Sequence, residues 1–234
     1  MAERFFVDTP ITGKRALLAG DEARHVAAVM RAKPGDELTL FDGSGAEFKA
    51  RIESIGKHSV ALAMVERRES TRELPFSLTL AVALPKGERQ KWLVEKATEL
   101  GVTRLIPLIT ERGAAQPVPS ALDRLRRTVI EASKQCGRNR LMEIGAAAGL
   151  ISLFCNTPAD ALRLIADPSG QPMRSAASLQ NASIHGAIGP EGGFSPDELS
   201  AAKAAGWQFV SLGNRILRVE TAAVAMAAAL GLGR

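Results

Sequence analysis

Apolar residues recur along this chain with two different rhythms, and the change between them divides it. Through residue 72 the apolar runs are short and separated by turns. Arg4-Phe5-Phe6-Val7 reads as a first strand, and Glu37–Phe41 follows the turn Lys33-Pro34-Gly35-Asp36. Asp42-Gly43-Ser44-Gly45 signals a hairpin into Glu47–Ile55, and Gly56-Lys57 turns the chain into Ser59–Val65. Phe48, Ala50, Ile52 and Ser54 alternate with Lys49, Arg51 and Glu53, as a half-buried strand requires. One helix interrupts, with Asp21 as its N-cap and Val26, Val29 and Met30 on its apolar side. Short strands with turns about every ten residues predict a small β-barrel over residues 1–72. The charged, proline-ended stretch Glu66–Pro75 reads as the linker.

From Phe76 onward strands and helices alternate. Phe76–Leu84, Arg104–Ile109, Ala161–Ala166, Ile184–Ile188 and Gln208–Leu212 read as strands. Helices are predicted over Glu88–Leu100, Ser120–Cys136 and, more briefly, Ala147–Phe154. Strands alternating with helices predict a mostly parallel α/β sheet over 73–234, covered on both faces.

The last two strands each run into a glycine-bearing loop, Gly189–Gly193 and Gly213–Arg218. Each loop leads into a helix. Ser195-Pro196-Asp197-Glu198 is a capping box with proline at the first helical position. Thr221–Leu230 is apolar on every side, so it is buried against the sheet or against another subunit. Strand, glycine loop, helix suits a nucleotide-type cofactor, or else two tight turns with no ligand. Gly189-Pro-Glu-Gly-Gly has neither the Lys-Ser/Thr ending of a P-loop nor the dinucleotide spacing of glycines.

Charge narrows the partners. The chain carries a net +5, whereas residues 1–72 hold twelve basic and eleven acidic groups. The surplus sits instead around Arg124–Arg140. In that helix Leu122, Leu125, Val129, Ala132 and Cys136 recur at helical spacing, and Arg124, Arg127, Glu131, Lys134 and Arg138 follow on another face. The stripe is either a solubilising face or a phosphate-binding one, for which arginine's planar fork is suited. Arg24 and Arg31 share a helical face and pose the same choice. No run of eighteen apolar residues exists, and Met-Ala-Glu-Arg-Phe-Phe-Val-Asp lacks a signal-peptide layout, so a cytoplasmic location is expected. Cys136 and Cys155 are too few for a disulfide framework or a zinc site.

Ile188-Gly-Pro-Glu-Gly-Gly-Phe-Ser195 with Leu212-Gly-Asn-Arg-Ile-Leu-Arg-Val-Glu-Thr-Ala222 resembles the C-terminal signature of the SPOUT class of RNA methyltransferases, and within it the 16S ribosomal RNA (uracil-N3)-methyltransferase family. Leu84–Gly101 and Glu131–Arg138 look like further blocks of that family, and Arg24–Asp36 is similar to its N-terminal PUA-like domain. Cys136 departs from the family's usual serine.

The resemblance implies a SPOUT-type knotted (trefoil) α/β domain over 73–234, preceded by a PUA-like β-barrel domain. It implies S-adenosylmethionine as methyl donor, no metal, 16S rRNA of the 30S subunit as partner, and a homodimer. Ala166, Ile188, Gly189, Gly193, Leu212, Gly213, Ile216, Leu217 and Arg218 would hold the cofactor. Arg218, Glu220 and Arg138 are candidates for aiding loss of the uracil N3 proton, although Glu220 also suits the first turn of a buried helix. Arg24, Arg31, Arg124, Arg127, Lys134 and Arg138 are the candidate RNA contacts. The alternatives are methylation of a ribose 2′-hydroxyl or a tRNA base by the same fold, and a non-enzymatic RNA-binding assembly factor.

Overall fold

Five short strands make the first sheet: β1 (Arg4–Phe6), β2 (Arg15–Ala19), β3 (Glu37–Phe41), β4 (Ala46–Ile55) and β5 (Ser59–Glu69). They lie in the order β1-β3-β4-β5-β2, antiparallel apart from the β1–β3 pair. The predicted hairpin sets Leu40 opposite Phe48, and the inward alternation of β4 buries Phe48, Ala50 and Ile52 with Leu38, Leu40 and Leu62. Between β2 and β3 the chain winds one α-helical turn, α1 (Gly20–Arg24), and then a π-helical turn over His25–Val29. Asp21 lies in the first turn of α1 rather than at its N-cap, which is Ala19.

Two expectations change here. Arg15–Ala19 is a strand, pairing with Ser59–Ala63. Glu66–Glu69, read as linker, is the end of β5 and pairs with Ala46–Lys49. Its charges are exposed and neutralise one another, as in the Arg68–Glu66 and Arg67–Glu69 pairs, so a strand costs them no desolvation.

The computed structural model describes residues 3–70, 72–113, 119–173 and 183–232. It divides into two units, Met1–Glu73 with Ser133–Leu141, and Leu74–Ala132 with Met142–Arg234. Within the first, Ser133–Leu141 is tied down by polar side chains. Arg4 donates to the carboxylate of Glu47 and to the side-chain oxygen of Asn139, and Asn139 donates to the carbonyl of Ser70 at 3.1 Å. Arg72 donates to the Gly137 carbonyl at 2.7 Å, and Lys134 meets Glu22 at 2.9 Å.

The second unit is built on parallel strands: β6 (Ser77–Val82), β7 (Arg104–Ile109), β8 (Glu143–Ile144), β9 (Ala148–Gly149), β10 (Leu162–Pro172), β11 (Ser183–Ile188) and β12 (Gln208–Ser211). Their order is β12-β10-β11-β6-β7-β8, with β9 beside β7. The helices are α2 (Glu88–Glu99), α3 (Pro119–Cys136), α4 (Leu150–Asn156), α5 (Pro196–Ala204) and α6 (Val219–Gly231). The last four residues of α3 group with the first unit.

On one face α6 packs on α2, β6 and β11. Gly186 permits this approach, because a Cβ there would fall 2.4 Å from the Met226 sulfur. Met226, Ala227 and Leu230 are fully buried beneath it, each large side chain contributing roughly 1.5–3 kcal/mol. So the all-apolar helix is buried within its own chain along one face. On the other face Ala81, Ile165 and Ala187 meet Leu153 of α4, Ala202 of α5, Phe194 and Trp207.

Candidate cofactor site

Two strand ends and the middle of a third meet at the carboxyl edge of this sheet. β12, β10 and β11 are neighbours, so the segments leaving β12 and β11, 212–218 and 189–195, come beside β10 where its register on β12 shifts between Ala166 and Gln171. The strand expected to end at Ala166 runs on to Pro172. Parallel α/β sheets place ligands at this edge. A cavity of about 150 Å³ opens there, room for an organic ligand given the ~10–15 Å³ a single water needs.

Each loop has its own cause. Pro190 and Gly193 close a tight turn through a 2.9 Å backbone hydrogen bond, with Gly193 at φ 69°. At Gly189 a Cβ would stand 3.0 Å from the Phe194 ring, so the ring packs against bare backbone. Ser195 and Glu198 form the predicted reciprocal cap, Ser195 N–H donating to Glu198 at 2.8 Å and Glu198 N–H to the Ser195 hydroxyl at 3.3 Å. The other oxygen of Glu198 accepts from the Glu111 N–H at 2.9 Å. Arg112 donates to the Gly192 carbonyl at 3.0 Å. Gly213 holds φ 110°, and the Ser211 hydroxyl accepts from its N–H at 3.4 Å.

Ala166, Ile188, Gly189, Gly193, Leu212, Gly213, Ile216 and Leu217 all line the cavity. Arg218 does not, though its neighbours Leu217 and Val219 do. It is the exposed N-cap residue of α6 and makes no side-chain capping bond. Glu220 lies in the first turn of α6, only 7% exposed, with one carboxylate oxygen meeting no partner among the described residues. Its other oxygen is 3.7 Å from Arg89 Nη1, and that same nitrogen is 3.5 Å from Glu191 at the cavity rim.

Arg89, Arg112 and the lining residues Asp167, Arg215 and Phe194 were missed by sequence reasoning. Asp167 directly follows Ala166, where the sequence predicts the strand to end, and Arg215 lies inside the second glycine loop; those positions were the available signal. Nothing local marks Arg89 or Arg112. His185, near the start of β11, takes no part in the cavity; burial, then Arg104 and Arg163, hold its imidazole below the ordinary range.

Arg138 needs correction. It is 3% exposed and paired with Glu73 at 2.6 Å, a buried structural ion pair rather than a surface contact. Lys134 is likewise engaged, with Glu22. Arg31 is exposed at φ 55°, and Arg24 is exposed beside Asp21. Arg124 and Arg127 are exposed, and among the described residues no ion pair engages them. Among the described residues no group of His, Cys, Asp or Glu is placed to hold a metal, and no helix is long and apolar enough to cross a membrane.

The donor set defines what the cavity accepts. Bare backbone at Gly189 and Gly213 and the apolar walls Ile188, Leu212 and Leu217 suit a flat heterocycle. Carboxylates at the rim, Asp167 and Glu191, suit hydroxyls and a cationic centre. These residues fit S-adenosylmethionine.

Fold and cavity together define an RNA methyltransferase of the SPOUT class carrying a PUA-like domain: an RNA methyltransferase domain model matches residues 72–231, and an RNA methyltransferase PUA domain model matches residues 18–64. The chain is 36% identical to the ribosomal RNA small subunit methyltransferase E of Synechocystis, over 86% of this chain and 67% of that protein. It is 33% identical to the Mycobacterium tuberculosis protein of the same name, over 99% of this chain and 92% of that one. The structure of the Neisseria gonorrhoeae methyltransferase E bound to S-adenosyl methionine superposes with a TM-score of 0.89 at 31% identity, covering 98% of this chain and 96% of that chain. A Legionella pneumophila methyltransferase with bound SAM gives 0.89 at 33% identity, covering 97% and 96%. The chain belongs to the ribosomal RNA small subunit methyltransferase E family.

Proposed function

We propose that this protein methylates N3 of a specific uridine in 16S rRNA of the small ribosomal subunit, with S-adenosylmethionine held at the carboxyl ends of β11 and β12, beside Ala166–Pro168 of β10. The observation that carries the reading is the cavity formed there by two glycine loops, in a chain of this family.

The bound cofactor supplies a methyl group already activated on a sulfonium sulfur. The protein's tasks are then to hold the reacting base in line and to help the N3 proton leave. The loops 189–193 and 212–217 hold the cofactor, with Ala166 beside the adenine. Arg218, exposed where the second loop becomes α6, faces the base and stabilises the imide anion. Glu220, with one oxygen lacking a partner, is the candidate proton acceptor. Arg138 is left out of this chemistry because Glu73 holds its guanidinium.

Arg124 and Arg127 on α3, with Arg24 and Arg31 in the first unit, contact RNA phosphate. The protein works in the cytoplasm as a homodimer. Ile216, 96% exposed beside the cavity, and Trp92, 43% exposed on α2, are apolar groups that a second copy would cover.

Transfer of radiolabelled methyl from S-adenosylmethionine to 30S particles and to free 16S rRNA tests the reading. Label in the RNA supports it. A protein that binds RNA yet transfers no methyl to either substrate would instead be the assembly factor.

A further inference from the structure

A second cavity, of about 160 Å³, lies in the first unit, lined by Gly45, Glu69, Ser70, Glu73, Asn139 and Arg140. Its charges are unevenly satisfied. Glu69 is paired with Arg67 at 2.6 Å and Glu73 with Arg138 at 2.6 Å. Asn139 is 2% exposed, and its side chain accepts from Arg4 and donates to the Ser70 carbonyl. Arg140 is exposed, and among the described residues no ion pair or hydrogen bond engages its guanidinium. The charge this cavity offers a ligand is therefore positive, and it comes from one planar fork of donors.

Placement of that fork is built in. A Cβ at residue 45 would stand 3.0 Å from Arg140 Nε and 3.2 Å from Cζ and Nη2, so the guanidinium lies against the backbone of a glycine at φ 107°. Packing on one side leaves the donors and the other face of the plane for a ligand. An arginine plane beside a polar hollow suits a single-stranded nucleotide, with phosphate on the fork and base or ribose in the hollow.

We propose that this cavity is an RNA subsite, in which Arg140 binds a backbone phosphate of single-stranded ribosomal RNA and Gly45 makes room for its guanidinium. The inference rests on the RNA-methyltransferase reading above. It moves the phosphate contact expected of Arg138 to its neighbour two residues on.

The test uses the full chain and a 16S rRNA transcript, with affinity measured across a series of salt concentrations. Arg140→Ala is expected to weaken binding about tenfold and to reduce the slope of log K against log salt by about one. S-adenosylmethionine affinity and the unfolding midpoint should match the wild type. Arg140→Lys keeps the charge and is expected to keep the slope while losing part of the affinity. Wild-type affinity and slope in Arg140→Ala, from a protein that still transfers methyl, would overturn the subsite alone. A wild-type protein that neither binds the transcript nor transfers methyl would overturn the functional reading with it.

Discussion

Arg89 on α2 stands 3.7 Å from the buried carboxylate of Glu220 on α6, and the same guanidinium nitrogen is 3.5 Å from Glu191 in the loop after β11. One cation thus serves two carboxylates, one in the first glycine loop and one in the first turn of the helix that follows the second. Replacing Arg89 by Ala leaves Glu220 buried without a counter-charge. Because Arg89 is itself 41% exposed, the loss is at the low end for a broken pair, about 1 kcal/mol. Chemical denaturation measures it, and Arg89→Ala with Glu220→Gln should recover most of the loss, since no buried charge then remains.

Gly189→Ala should weaken S-adenosylmethionine binding more than it weakens the fold. The new methyl meets the Phe194 ring at 3.0–3.2 Å, and the ring must shift into the cavity wall. At Gly213 nothing crowds a Cβ, but φ is 110°, so alanine is strained by roughly 1–3 kcal/mol and the loop changes shape. Calorimetric titration with the cofactor checks both, with about tenfold weaker binding expected for each.

Stability should fall in mild acid through His185. Its imidazole is held below the ordinary value of 6.5 by burial, then by Arg104 and Arg163, and its Nδ1 has no partner among the described residues. Below about pH 7 the unfolded chain therefore binds more protons at this site than the native one, and stability drops as pH falls through the unfolded value. Unfolding midpoints measured from pH 8 to pH 5 should decline. His185→Gln should decline less.

Arg124→Glu with Arg127→Glu should weaken binding to 16S rRNA and flatten its salt dependence by about two, leaving cofactor affinity unchanged. Both residues are exposed on α3, whose opposite side buries Leu125, Val129 and Ala132.

Local chemistry was readable wherever neighbours in sequence decide it. The capping box at Ser195, the alternation of β4 and the apolar stripe of α3 all took the predicted form. β2 hid because Leu17 and Leu18 are adjacent, one 57% exposed and the other 1%, so its alternation does not register as apolar and polar. β8 and β9 are two residues each and exist only through pairing with β7. The cavity lining was largely legible, because glycine loops advertise close backbone approach. What was not legible were partners far apart in the chain. Arg138 looks like a surface cation until Glu73, 65 residues away, is placed beside it, and Arg89 meets Glu191 across 102 residues.

The most direct test identifies the modified nucleoside. Ribosomal RNA from 30S particles lacking the modification, incubated with the protein and S-adenosylmethionine, is digested to nucleosides and resolved by mass spectrometry. The account predicts 3-methyluridine with the wild-type chain and none with Arg218→Ala, whose fold should survive because Arg218 makes no capping bond. A ribose-methylated nucleoside, or full 3-methyluridine from a folded Arg218→Ala, would contradict it.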